Sequence, residues 1–552
     1  MVQTSGARIH RGSVALLLIL MVVALLPAAR PVAVTAATLG PVLVVPNASA
    51  GPGEDTLVYV ANTGSGLAPL ELLLRLHRPD GTLIAERTIV VPDRQTSLIR
   101  VSSFITPATG VSVSGVLVIH SAASVEATAI HQKDLGTSGF RPTVYRQAIG
   151  SAVYTLPYVA NRLNETYDTI IWVANADSVP VCMSIEFAFV PGQGSVGPGG
   201  KPKLKAMGPG GQGCQAGEYR VPVSGQVGFS PFISAPDPVR GLYPFPADTR
   251  DALLSAQVVA RTGGLAIIAE GTVAGYSKRA AYEAFIVNST GLETPFSQSY
   301  RTIAATMNIP FAIKSADGYY TQILVSNPSA SSADVAIDYD DGNGATYRMR
   351  FTVPANGVDN HSVWADGTVP VGFVGTARIT VLNDKSVAAV VFRTKMTDGG
   401  TFIEENLYTA VNAAPYRFSR SLVQYVPYAA RRVPNGDPNA LNSWVTVTPT
   451  TGARLSKLEV TAYGTTCATA GASPYFSAVE YDVSSTILYQ NADTQNGFGR
   501  AVPCFEGWLR LTSRGLEAVE GVLFNQFFIA AASWIDGNAP GENEAVYLVG
   551  EQ

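Results

Sequence analysis

One β-strand signature recurs four times along the chain, and a recurrence of that kind limits the fold to an array of small β-units. Four segments open with an apolar residue and a proline: Val45-Pro46, Leu156-Pro157, Ile309-Pro310 and Val426-Pro427. In the last three the proline is followed by Tyr158, Phe311 or Tyr428. A strand pattern comes soon after each: Thr56 to Asn62, Thr169 to Asn175, Thr321 to Asn327 and Ser443 to Pro449. Later strands begin at Gly115, Gly375 and Gly507, and a further set is expected at Val125–Ile130, Leu265–Ala269, Val387–Phe392 and Val519–Phe524. Each segment closes on a turn and a short strand holding Tyr145, Tyr300, Tyr408 or Tyr547. Short alternating runs between turns predict antiparallel sheets packed face to face.

The period of two identifies the buried face. Val58 and Val60, Ile171 and Val173, Ile323 and Val325, and Val445 and Val447 hold equivalent places, and β-branched residues in all four segments mark an inner face. The opposite face carries Tyr59, Trp172, Gln322 and Trp444. Tyr59, Trp172 and Trp444 are therefore candidate contact residues, used between segments or between molecules in preference to stacking on sugar rings.

The expected organisation is a leader over residues 1–36, then segments at 37–150, 151–306, 307–421 and 422–552. In series these make a rod. Segment II carries a Gly-rich insertion over 191–217, expected as a flexible loop, with Lys201, Lys203 and Lys205. Arg8 and Arg11 precede an apolar run from Val14 to Leu26, short for a membrane span, and small residues follow at Thr35, Ala36 and Ala37. Cleavage after Ala36 or Ala37 fits a secretory signal, with an uncleaved anchor as the alternative. No transmembrane segment is expected in the mature chain.

An exported chain with four cysteines predicts two disulfides, Cys182–Cys214 and Cys467–Cys504, each within one segment. A zinc site is the rival use of these residues, without a C-x-x-C or a neighbouring His to support it.

Charge narrows the function. Of 552 residues only 14% are charged, and the formal net charge is -4, so clustered positive charge for nucleic acid is lacking. With 52 Gly and 35 Pro, long helices are not expected.

Together the Pro-aromatic pair, the Thr-x-Ile/Val-x-Val-x-Asn strand and Gly-x-apolar-x-apolar resemble the tandem immunoglobulin-like β-sandwich repeats of secreted bacterial cell-surface proteins. The likeness is clearest from Ile309 to Arg393 and spans nearly all of residues 40–552. It implies an all-β chain of four antiparallel sandwiches with roles in adhesion, surface layers, stalks or spacers, and it brings no catalytic residues.

Chemical motifs are sparse. His77, His120, His131 and His361 are scattered, and neither a nucleophile elbow nor a phosphate loop occurs. Asp338, Asp340, Asp341 and Asn343 offer oxygens of the kind Ca²⁺ takes, but the same stretch reads as a hairpin turn, which is preferred. No other cofactor is expected. Asn47, Asn164, Asn288 and Asn360 head formal glycosylation acceptors with little expectation of use. The leading expectation is a non-enzymatic structural or self-associating surface protein whose partners are other protein copies or a cell-surface polymer. An adhesin that binds glycan comes second and a secreted enzyme third.

Overall fold

A computed structural model of the chain describes residues 43–133, 145–146, 152–289, 302–396, 402–415 and 422–551, apart from short stretches inside those ranges. The expected leader lies outside the described residues. These contain β-strands and two short 3-10 turns, with no α-helix and no helix long and apolar enough to cross a membrane.

One pairing order recurs in all four segments. In segment I the strands in chain order are Leu43–Gly51, Glu54–Ala61, Leu70–His77, Leu83–Val91, Thr96–Arg100, Val113–Ser121 and Glu126–Lys133. The fourth, third, sixth and first lie side by side, and the fifth, second and seventh form a neighbouring array. Segment III repeats this order from Thr306–Ala316 to Ala388–Met396, and segments II and IV repeat it in two separate sheets. We call these the first sheet and the second sheet of each segment. Their facing side chains fuse into one core: in segment I, Val45, Val58, Val60, Leu72, Leu74, Leu117 and Ile119 pack together. All eight inner-face residues named from the sequence are 0% exposed.

The recurring polar residues each make a bond at the same place. The hydroxyls of Thr56, Thr169, Thr321 and Ser443 accept from the backbone N–H of Ser49, Ala160, Ile313 and Ala430 at 2.9–3.1 Å, tying second strand to first. Asn62, Asn175 and Asn327 donate their side-chain amides to carbonyls at the end of the fourth strand or the turn beside it. Pro449 stands at that place in segment IV, without a side-chain donor. Gly115, Gly375 and Gly507 each stand third in the sixth strand, where a Cβ would lie within 2.1 Å of a third-strand carbonyl, that of His77, Asp340 or Tyr463.

Two expectations are corrected locally. The insertion 191–217 is more than a loop: Leu204–Ala206 pairs with the third strand, as does Tyr219–Val221 just beyond the insertion, so the two together take the fourth strand's place. In segment IV the seventh strand is Phe528–Asp536, whereas Leu516–Val519 and Val522–Asn525 form a separate hairpin. The small residues Ala530, Ala531 and Ala532 pair with Val447, Thr446 and Val445, and Ala531 packs in the same buried cluster as Trp444.

The rod is the larger correction. The first sheet of each segment packs on the second sheet of the next, and segment IV packs back on segment I. Tyr59 meets Tyr428 at 4.0 Å between ring centroids, and Trp508 Nε1 donates to the Arg94 carbonyl at 2.8 Å. The contacts thus run from each segment to the next and from the last back to the first, a circle of contacts within one compact unit.

Candidate functional site

The four seams of this circle hold the residues singled out from the sequence. Each seam is built from a bulge on one side and an outward side chain on the other. In every first strand the pairing register slips across the proline and its successor: between Val45 and Ala48, Leu156 and Val159, Ile309 and Ala312, and Val426 and Ala429. Proline suits the bulge because it has no N–H to donate to the ladder. The residue after it, Asn47, Tyr158, Phe311 or Tyr428, is turned out of the sandwich and buried against the next segment. The Pro-aromatic pair is a plug.

The receiving position is the outward face of the second strand. Trp172 lies with Val44, Val116 and Val118 of segment I and Ala174, Ala266 and Ile268 of its own segment. Trp444 meets Phe311 edge-to-face at 5.8 Å, and the Arg393 guanidinium sits 5.4 Å from its ring centre. Tyr59 packs on Tyr428 with Leu57, Ile130 and Cys504. All three are 7% exposed or less. Segment III has Gln322 at this place, paired across the sheet with Phe392, and Phe392 takes the aromatic role by meeting Tyr158 at 5.0 Å. Tyr282, fully buried, donates its hydroxyl to the Tyr158 carbonyl, and burial holds that phenol well above its ordinary range.

Seam I–II is polar at its centre. Asn47 N–H donates to Gln226 Oε1 at 2.7 Å, and its amide reaches Glu270 Oε2 at 3.4 Å. Trp172 Nε1 donates to the same Glu270 oxygen at 2.5 Å. Glu270 is 0% exposed. The sequence reading missed this group, since nothing in its local pattern sets Glu270 apart from a surface carboxylate.

Other candidates fall elsewhere. Cys182 and Cys214 are bonded, and their oxidised sulfurs beside Glu218 are not available as thiolate ligands. Cys504 is also disulfide-bonded, and its expected partner Cys467 lies outside the described residues. Asp338 forms a two-pronged pair with Arg348, at 2.5 and 2.8 Å. Asp340 accepts from Gly342 N–H and Asp341 from Ala345 N–H, as in a hairpin turn, while Asn343 lies outside the described residues. His131 is buried against Ser49, and His361 against Asp366. Burial lowers the His361 pKa below its usual value against the pull of Asp366. Lys203 donates to Asn356 of segment III at 2.8 Å, beside a shallow polar recess at seam II–III.

No protein-family profile matches the chain, and no curated protein matches it. Among solved structures it is similar to a "tetra-tandem repeat in extending region of large adhesion protein", at 11% identity and a TM-score of 0.09. That comparison covers 88% of this chain and 93% of the other, and at such a score it carries no argument about fold or function.

Proposed function

We propose that the chain is a secreted, non-enzymatic structural protein of a cell surface, built from four tandem immunoglobulin-like sandwiches locked into a circle. The observation that carries this reading is the fate of Tyr59, Trp172 and Trp444. Each is covered by a neighbouring segment, so the strongest outward anchors fix the shape of the chain itself. This favours structure over self-association through those side chains.

Two measurements test it. Expressed with its leader in a host with a working export pathway, the chain is expected outside the cytoplasm with Ala37 or Thr38 as its first residue. Retention in the cytoplasm with the leader intact counts against the reading. Electron microscopy of the mature protein is expected to show closed four-lobed particles, and an extended string of lobes sinks the structural role argued here.

A further inference from the structure

Trp364 has the opposite fate from the seam tryptophans. Trp172, Trp444 and Trp508 are 3–7% exposed, whereas Trp364 is 46% exposed. It stands on the loop between Val358–Ser362 and Phe373–Val381 in segment III, with the Tyr320 ring beside it at 6.5 Å and 81°. The loop is held hard from beneath. Val363 and Val369 are buried, and the Lys314 ammonium donates to the carbonyls of Asp366 at 2.5 Å and Val369 at 2.8 Å. The Asp366 carboxylate accepts from the Thr368 N–H and hydroxyl and meets His361 Nε2 at 3.2 Å.

That network has two consequences. It fixes an indole nearly half in solvent, at the cost of apolar exposure. It also turns the Lys314 ammonium and the Asp366 carboxylate inward, so the loop's own exposed side chains, Trp364, Ala365, Thr368, Pro370 and Val371, are uncharged. Tyr320 donates its hydroxyl to Ser315 Oγ at 3.0 Å, placing hydroxyl oxygens near the foot of the aromatic corner.

We propose that Trp364 and Tyr320 form a stacking platform for a neutral saccharide. A pyranose presents one C–H face to an aromatic ring and a rim of hydroxyls to hydrogen-bonding neighbours, which is the chemistry this corner offers. A protein partner fits less well. A stable protein interface covers about 800 Å² on each side around several buried anchors. On this loop the large apolar side chains that are exposed are Trp364 and Val371.

The test uses the full mature chain titrated calorimetrically with tetrasaccharides of glucose, mannose and N-acetylglucosamine. At least one is expected to bind saturably, with Trp364→Ala weakening it about tenfold or more and Trp364→Phe retaining most of the affinity. A second readout is shielding: the bound saccharide is expected to protect indole fluorescence from acrylamide in the wild type and not in Trp364→Ala. Absence of binding to all three at millimolar concentration overturns the proposal. So does binding that Trp364→Ala leaves unchanged, or a protein partner, in place of a saccharide, lost with that substitution.

Discussion

Seam IV–I and seam I–II join the same two kinds of sheet in the same order, yet the residues that seat the plug differ in character. At seam I–II the plug is Asn47, seated on Gln226 and Glu270. At seam IV–I it is Tyr428, stacked on Tyr59, and beside it Trp508 lies flat on Tyr463 at 4.4 Å and bonds to Arg94. Trp508 holds the place in its sixth strand that Val116 holds in segment I. The covalent chain runs directly from segment I to segment II, so that seam forms at high effective concentration. Segments IV and I are neighbours in space without being neighbours in sequence. Of these two seams, the one without a short tether has the larger aromatic cluster, and the tethered one seats its plug on buried polar groups.

The largest effect is expected from Trp508→Ala. Removing a buried indole costs about 3–5 kcal/mol, and here the loss falls on the closing contact. The radius of gyration from small-angle scattering is expected to rise as the circle opens. Unchanged dimensions together with unchanged urea resistance break the comparison.

Glu270→Leu attacks the other seam. It removes the acceptor shared by Trp172 and Asn47, at about 1–3 kcal/mol, while the tether keeps the scattering profile close to that of the parent. Glu270→Gln, which keeps an acceptor oxygen, is expected to recover part of the loss. An opened particle in Glu270→Leu means that the tether does not do what is claimed for it.

Thr321→Val supplies the reference inside a single segment. It deprives the Ile313 N–H of its acceptor at about 1 kcal/mol, with neither seam altered. A change in scattering from this variant removes the distinction between seam and core.

The smallest effect is that of pH on the closing seam. Glu506 accepts from the Tyr428 hydroxyl at 3.3 Å, and burial raises its carboxyl above the usual 4.5 against the pull of that bond. The folded state therefore holds this proton more tightly than the unfolded chain. Its contribution is fully present below the ordinary carboxylate value and is lost as pH rises through the elevated one. Between pH 4.5 and neutrality, wild type is expected to lose urea resistance relative to Glu506→Gln. Parallel pH profiles for the two proteins exclude the assignment.

Much of each segment was legible because its signals are local. Val173 and Val445 announce an inner face by strand period alone, Thr169 marks a corner bond, and Gly375 marks a close carbonyl. Cys182 and Cys214 likewise lie where one segment brings them together. The circle was not legible. Parity showed that Trp172 and Trp444 point away from their own cores, but nothing in the run around Tyr59 names Tyr428 as its cover, hundreds of residues away. Glu270 was hidden for the same reason, since its burial comes from another segment. The displaced seventh strand of segment IV shows a different limit: two apolar runs with the same period lie within a dozen residues, and period alone does not choose between them.

The plug and its seat lie on different sheets of every segment, so each junction has a direction, and the last plug finds its seat on the first segment. Copy number is then a matter of geometry. A chain with one unit deleted leaves an arc with an uncovered plug at one end and an empty seat at the other, two complementary ends that can meet only on different molecules. Loss of a single repeat, harmless in a string of independent beads, would here leave a monomer whose ends are built to join other molecules.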